Sequence, residues 1–218
     1  MKIKKAIILG AGFGKRMHPI TKKIPKPLVK INNVTLLENS IKFLNSLGIK
    51  HIVINTYHLH REIVNFVKNK KFPLKVEVII EKGKILDTGG GILNASKKFK
   101  KKIFFVLNPD TIWGENYLET TLNMMSRYFE KKIKNLLMIV NKENSFDQRM
   151  KGDFSFSHKL LLRNKENNFI YTGLQIINKS LFENKKVMPF SITNIWDNAI
   201  KNKMLYGFES KVDFIHLT

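Results

Sequence analysis

The sequence predicts an α/β fold, a three-layer α/β/α sandwich around a mainly parallel, mixed sheet. Three observations predict it. Short apolar runs of strand type alternate with amphipathic stretches of helical period through residues 1–140. Two of those runs end in small or polar residues, Gly10 to Gly14 and Asn108 to Asp110, at the carboxyl ends of strands, where ligands bind in such folds. The length of 218 residues, with 43% hydrophobic residues, suits a single domain with a sizeable core.

The elements follow in order. Residues 6–10 (AIILG) read as a first strand. Residues 35–48 (TLLENSIKFLNSLG) read as a helix in which Thr35 is the N-cap, Glu38 completes a capping box, and Leu36, Leu37, Ile41 and Leu44 share a face. Gly48 stops that helix. HIVIN (51–55) is a strand, LHREIVNFVKN (59–69) a helix, KVEVII (75–80) a strand, and GGILNASKKF (90–99) a helix start. IFFVLNPD (103–110) is a strand ending in a carboxylate, YLETTLNMMSRYFEK (117–131) a helix with Met124 and Met125 as core filler, and NLLMIV (135–140) a strand. Beyond residue 141 the pattern weakens. KGDFSFSHKLLLRN (151–164) and NFIYTGLQIIN (168–178) read as antiparallel strands, ITNIWDNAIKN as a short helix, and MLYGFE and VDFIHLT as closing strands. The expectation is one domain over 1–218, with a core at 1–140 and an embellishment covering the cleft at 141–218.

Composition narrows the function classes. There is no cysteine, which excludes disulfides, thiolate metal sites and a Cys nucleophile. No apolar run approaches ~18 residues, and the basic start MKIKKAIILGAG reads as a buried strand rather than a leader, so a cytoplasmic protein without a membrane span is expected. The formal charge of +22 comes from lysines spread along the chain, with only short runs such as KKFKKK and no interleaved aromatic stripe. That argues against a nucleic-acid partner and for faster encounter with phosphorylated substrates.

The opening loop carries the chemistry. Gly10, Gly12 and Gly14 alternate, and glycine lets backbone N–H groups approach and cradle a phosphate. By themselves they equally suit a plain strand-to-helix turn; they match neither the dinucleotide fingerprint nor the Walker A spacing. The cations shift the balance. Arg16 offers a planar fork for phosphate oxygens, and Lys26 sits between Pro25 and Pro27, which stiffen the loop. His58 and His60, two apart, do not form a metal pair on a helix. Trp113 and Trp196 read as packing residues.

The run LGAGFGKRMHPITKKIPKPL resembles the signature of the sugar-1-phosphate nucleotidyltransferases, with its G-x-G-x-R-(M/L)-x-P-(L/I)-T and P-K-P-L pieces. LDTGGGILNA (86–95) is similar to the corresponding segment of the N-acetylmuramate-1-phosphate uridylyltransferases of bacterial cell-wall recycling, and VLNPDTIW to their metal-binding strand end. The resemblance implies a Rossmann-like nucleotidyltransferase fold and transfer of a nucleoside monophosphate, from UTP in that subgroup, to a sugar 1-phosphate, with Mg²⁺ and without a nucleophilic side chain. It implies Arg16 on the leaving phosphates, Lys26 at the α-phosphorus and Asp110 as Mg²⁺ ligand. Gly10, Ala11, Gly12 and Gly14 line the nucleotide, Gly89 and Gly90 let the base approach, and Thr88 contacts nucleotide or sugar. Glu81 is expected to face the nucleotide or its ribose. Asn108 orients the loop around Asp110 or touches substrate. Gly152, Asp153, Thr172 and Gly173 are sugar-side candidates or ordinary turn and strand residues, as Asp87 is a candidate or a loop acid; Arg149 and Lys151 are solvated cations or phosphate contacts. The sequence departs from the family at FIHLT (214–218): Phe214 replaces a tryptophan, and His216 stands where a second metal-binding aspartate is usual. Asp213 is in the opposite strand register. His216 is therefore a candidate metal ligand. The closing helix usual in the family is missing, and three explanations stand: an enzyme in which one carboxylate and the substrate phosphates hold Mg²⁺, a truncated chain, or a catalytically weak, ligand-sensing relative.

Overall fold

A computed structural model describes residues 2–217 and gathers most of the expected strands into one mixed sheet; the expected closing strand VDFIHLT instead makes isolated bridges, Phe214 to Ser145 and His216 to Thr111. In chain order the elements are β1 (Lys5–Gly10), β2 (Lys30–Ile31), β3 (Val34–Thr35), α1 (Leu36–Ser46), β4 (His51–Thr56), α2 (His60–Asn69), β5 (Lys75–Ile80), α3 (Asp87–Ser96), β6 (Ile103–Leu107), α4 (Asn116–Glu130), β7 (Asn135–Asn141), β8 (Ser155–Ser157), β9 (Leu160–Leu162), β10 (Phe169–Asn178), α5 (Thr193–Lys201) and β11 (Tyr206–Ser210). The large sheet has the order β5-β4-β1-β6-β10-β7-β11-β9-β8. Strands β5, β4, β1 and β6 run parallel, and β11 runs parallel to β7; β10 is antiparallel to both its neighbours.

Period-two alternation explains the three layers. In β1, Ile8 belongs to one apolar cluster and Ile7 to the other; Ile54 and Val53 divide likewise in β4, and Leu107 and Val106 in β6. The first cluster includes Leu37, Ile41 and Leu44 of α1, Ile63 of α2 and Met124 of α4. The second includes Ile92 of α3 and Ile195 and Trp196 of α5. A sheet buried on both faces accounts for strands such as HIVINT, in which every residue is buried.

Three further features differ from the sequence reading. The segment after residue 140 is not an outer addition, because β10 lies in the sheet between β6 and β7 and its residues Leu174 and Ile176 belong to the first core cluster. The second half therefore supplies part of the core on which the first half rests. A tight β2–β3 hairpin precedes α1, with Asn32 and Asn33 at φ 48° and 65°, a turn conformation that asparagine tolerates. The capping box at α1 is half formed. Thr35 Oγ1 accepts from the Glu38 N–H at 3.1 Å, but the Glu38 carboxylate turns outward to Lys42 and Lys70. No helix is long and apolar enough to cross a membrane among the described residues.

Thr35→Ala removes the one N-cap bond that does form, and we expect a loss of about 1 kcal/mol. Urea unfolding checks it: the midpoint should fall with the slope unchanged.

Candidate functional site

The carboxyl ends of β1, β4 and β6 open onto a cavity of ≈ 240 Å³ whose lining includes Gly10, Ala11, Gly12, Gly14, Lys26, Asn55, Asp87, Thr88, Asn108 and Asp110. The turn after β1 is held in place by its own hydrogen bonds. Gly14 adopts φ 63°, and its carbonyl accepts from the Met17 N–H at 2.9 Å and from Thr21 Oγ1 at 2.7 Å. A Cβ there would meet Thr21 at 3.0 Å and Lys26 at 3.2 Å, so this position combines positive φ with a close approach. His58 Nε2 lies 3.1 Å from the Thr21 carbonyl, while His60 Nδ1 lies 3.2 Å from that of Tyr57. The two histidines thus serve separate backbone carbonyls, His58 from the turn before α2 and His60 from its first position.

Lys26 begins a short 3₁₀ turn, Lys26–Leu28, between Pro25 and Pro27. Its Nζ donates to Asp110 Oδ2 at 2.7 Å and to the Leu217 carbonyl at 2.6 Å. His216 Nε2 reaches the same Asp110 Oδ2 at 3.2 Å. Burial alone raises the Asp110 pKa, but the His216 hydrogen bond and the Lys26 charge outweigh it, and the carboxyl is held down at about 2. Asp110 Oδ1 is buried and makes no hydrogen bond. The loop that carries Asp110 is fixed from several sides. The Asn108 N–H donates to the Gly173 carbonyl at 2.8 Å, Trp113 Nε1 donates to the Asn108 carbonyl at 3.1 Å, and Thr111 Oγ1 donates to the Thr172 carbonyl at 2.6 Å.

This donor set fits a hard divalent cation in one respect. Asp110 lines the cavity and its carboxyl is held ionised, and a carboxylate is the kind of ligand Mg²⁺ takes alongside phosphates. Among the described residues no group of three or more His, Asp or Glu gathers as a metal cluster.

Other expected site residues have different surroundings. Arg16 is exposed on the turn Lys15–Met17, outside the cavity lining, and makes no hydrogen bond or ion pair with other described residues. Glu81 does not face the cavity. Its Oε1 accepts from Asn55 Nδ2 at 2.7 Å and its Oε2 from the Leu86 N–H at 2.7 Å, so the buried carboxylate is committed to protein donors. Gly89 and Gly90 do not offer their backbone to a base either. Both N–H groups donate to the Phe190 carbonyl, at 2.9 and 3.1 Å, and a Cβ at either position would lie 2.3 Å from the Phe190 ring or 2.2 Å from the Met188 carbonyl. These glycines admit the chain's own segment 188–190. Thr88 lines the cavity and accepts from the Ile192 N–H at 2.8 Å. Asp87 lines it at φ 56°, an uncommon conformation for a residue with a side chain.

Of the sugar-side candidates, Thr88 and Asn108 line the same cavity as Lys26 and Asp110, Thr172 and Gly173 abut the loop that carries Asp110, and Gly152 lies in another cavity. Gly152 lines a second cavity, of ≈ 610 Å³, with Lys142, Lys151 and Lys165, and a Cβ there would sit 2.1 Å from the Asn167 carbonyl. Asp153 accepts from the Tyr171 N–H at 2.8 Å. Gly173 (φ 95°) makes room for Asn108, and Thr172 is buried with its Oγ1 donating to the Met138 carbonyl. Arg149 pairs with Asp147 on the surface. Sequence reasoning missed Asn55, which accepts from the Gly10 N–H at 3.1 Å and so links the glycine turn to Glu81. Its signal was an asparagine inside an otherwise apolar strand. It also missed the Leu217 carbonyl, which no side-chain pattern reveals.

The sequence profile of the family described as "Nucleotidyl transferase" matches residues 5–146. A D-glycero-alpha-D-manno-heptose 1-phosphate guanylyltransferase of Campylobacter jejuni is 31% identical over 81% of this chain and 77% of its own. The protein of that name from Aneurinibacillus thermoaerophilus is 27% identical, covering 97% and 92%. An N-acetylmuramate alpha-1-phosphate uridylyltransferase of Caulobacter vibrioides is 24% identical, covering 97% and 90%. Among solved structures, the inositol-1-phosphate CTP transferase from T. maritima superposes with a TM-score of 0.81 at 16% identity, covering 100% of this chain and 90% of that one, a likeness of fold.

Two stability effects follow from the site. Asn55→Asp places a second carboxylate against Glu81, and we expect it to destabilise more than Asn55→Ala, which leaves buried Glu81 Oε1 unpaired at about 1–3 kcal/mol; chemical denaturation of both variants checks the order. Asp110 has a folded pKa below its ordinary value of 3.8. Its contribution is therefore complete above about pH 4 and is lost as pH falls toward about 2, on the order of 2 kcal/mol in all. The stability difference between the wild-type protein and Asp110→Asn, followed from pH 6 to pH 2, should shrink over that window.

Proposed function

The chain belongs to the nucleotidyl transferase family, and on that basis we propose that it transfers a nucleoside monophosphate from a nucleoside triphosphate to a sugar 1-phosphate, releasing pyrophosphate. The observation that carries this reading is the Lys26 ammonium, fixed between two prolines and paired with Asp110 in the cavity that the glycine turn also lines.

The reaction joins a phosphate oxygen of the sugar 1-phosphate to the α-phosphorus and breaks the bond from that phosphorus to the bridging oxygen of pyrophosphate. The attacking oxygen is already ionised, so no nucleophilic side chain or strong base is required. Positioning and charge neutralisation suffice. Backbone N–H groups of residues 11–14 would hold the triphosphate, Lys26 would stand at the α-phosphate, and Arg16, exposed on its turn, would meet the leaving phosphates. A divalent cation such as Mg²⁺ would be held by the Asp110 carboxylate and would neutralise phosphate charge. Thr88 and Asp87 would border the base or sugar. The lysine-lined cavity at Gly152, near Asp153, would serve the sugar side.

For the substrates, the Caulobacter relative supports UTP with N-acetylmuramate 1-phosphate, and the two guanylyltransferase relatives support GTP with a heptose 1-phosphate. Pyrophosphate release with each triphosphate against a panel holding both sugars separates them. Release requiring one triphosphate and one sugar supports the proposal. No release with any pair, with a triphosphate still bound by calorimetry, supports the ligand-sensing alternative. In an active pair, Lys26→Ala should lower kcat roughly 10²–10³-fold, with its unfolding still cooperative. Near-full turnover in that variant would remove Lys26 from the mechanism.

A further inference from the structure

We infer that the acceptor of the proposed transfer is an acidic sugar 1-phosphate, whose ring carries a second anionic group, and that Lys142, Lys151 and Lys165 receive that group. The inference rests on the transfer reading above and narrows its substrate class.

The lysine-lined cavity lies at the same end of the sheet as the Lys26–Asp110 pair. Lys142 follows the carboxyl end of β7, and β7 runs in the same direction as β6, because β10 is antiparallel to both. Lys165 and Asn167 precede the first residue of β10 and so return to that end. In the sheet, β10 alone stands between β6 and β7, so the ends of those two strands are about 10 Å apart. The main chain between the two cavities is short. Asp153, next to Gly152 of the lysine cavity, accepts from the Tyr171 N–H at 2.8 Å. The neighbouring Thr172 carbonyl accepts at 2.6 Å from Thr111, which adjoins Asp110. A sugar ring with one extended substituent covers such a distance.

The three lysines call for an anion of their own. Among the described residues their ammonium groups make no hydrogen bond or ion pair, whereas Lys26 is committed to Asp110 and Leu217. An ammonium only donates. The cavity sets the three against a single carboxylate, Glu143, with the amides of Gln148 and Asn167 free to serve hydroxyls. Sheet order sends the other phosphates elsewhere. The attacking 1-phosphate has to meet the α-phosphorus at Lys26. The leaving phosphates follow the glycine turn after β1, and β1 lies on the other side of β6 from β7. Neither reaches the lysine cavity during the reaction. The charge that these lysines neutralise therefore belongs to the rest of the sugar.

The test compares sugar 1-phosphates in matched pairs that differ by one anionic substituent. N-acetylmuramate 1-phosphate is set against N-acetylglucosamine 1-phosphate, and glucuronate 1-phosphate against glucose 1-phosphate, to read a carboxylate. Glucose 1,6-bisphosphate against glucose 1-phosphate reads a second phosphate. Pyrophosphate release is followed with each nucleoside triphosphate. In the preferred pair, kcat/KM for the acidic member should exceed that for the neutral one by about tenfold or more, and the ratio should fall as salt is added. Equal values, or faster turnover of the neutral members, would overturn the inference. The triple variant Lys142→Gln, Lys151→Gln, Lys165→Gln should bring the ratio close to one. A control variant, Lys131→Gln, Lys132→Gln, Lys134→Gln, removes the same charge ahead of β7, at its amino end, and should keep the ratio. A ratio that survives in the first variant, or falls alike in both, would assign the preference to the general positive field of the chain and sink the role of this cavity. If no pair releases pyrophosphate, the transfer reading fails. Calorimetry of the same matched sugars with the wild type and both variants then decides the cavity alone: tighter binding of the acidic member, lost only in the first variant, supports the site, and equal binding overturns it.

Discussion

The Asp110 carboxylate joins three distant parts of the chain. Lys26 reaches it from the loop after β1, His216 from the closing segment, and the main chain around Asp110 is bridged to that same segment. Two positive or polar donors share one oxygen in a place where water is largely excluded. Such a pair is a weak source of net stability, because desolvation offsets much of the attraction. Breaking it by removing one partner is costly, because a buried charge is then left alone. The pair therefore works as a positional constraint. It fixes where an ammonium and a carboxylate stand relative to the glycine turn, and the site depends on that placement.

A second constraint runs through polar groups that never meet the cavity. Glu81 holds Asn55, Asn55 holds the Gly10 N–H, and Glu81 also accepts from the Leu86 N–H just before α3. One buried carboxylate thus sets the distance between the glycine turn and the start of α3, the two elements that border the cavity. Gly91 fits the same arrangement, since a Cβ there would lie 2.6 Å from Asn55 Nδ2 and 3.0 Å from Glu81 Oε1. The run Gly89–Gly91 looks in sequence like a surface for a ligand. In the folded protein it is a surface for the chain's own Phe190 and Asn55. Both readings invoke the same physics, close approach of a heavy atom to a backbone without a Cβ. Only the identity of the approaching atom differs.

The position of β10 ties the two halves of the chain together. It is antiparallel to β6, whose end carries Asp110, and its irregular pairing between Tyr171 and Gln175 places Gly173 at positive φ beside Asn108. The loop bearing the carboxylate is thus shaped by residues more than sixty positions later. Trp113 supports it from the other layer, stacking on Phe43 at 5.3 Å while donating to the Asn108 carbonyl.

The sequence determined the layers and the chemical cast. Unbroken apolar runs in AIILG and IFFVL specify strands buried on both faces, and the spacing of Leu37, Ile41 and Leu44 specifies the helix that covers one of them, because both signals are local properties of the backbone. Pro25 and Pro27 around Lys26, and Asp110 at a strand end, were legible for the same reason. Tertiary structure alone decided which donors each polar group would meet. Glu81 found Asn55 and Leu86 rather than a ribose, Gly89 and Gly90 found Phe190 rather than a base, and Lys26 found a main-chain carbonyl at Leu217. Such pairings join residues up to 191 positions apart. They are fixed by sheet order and loop path, on which neither hydrophobic period nor residue type carries information.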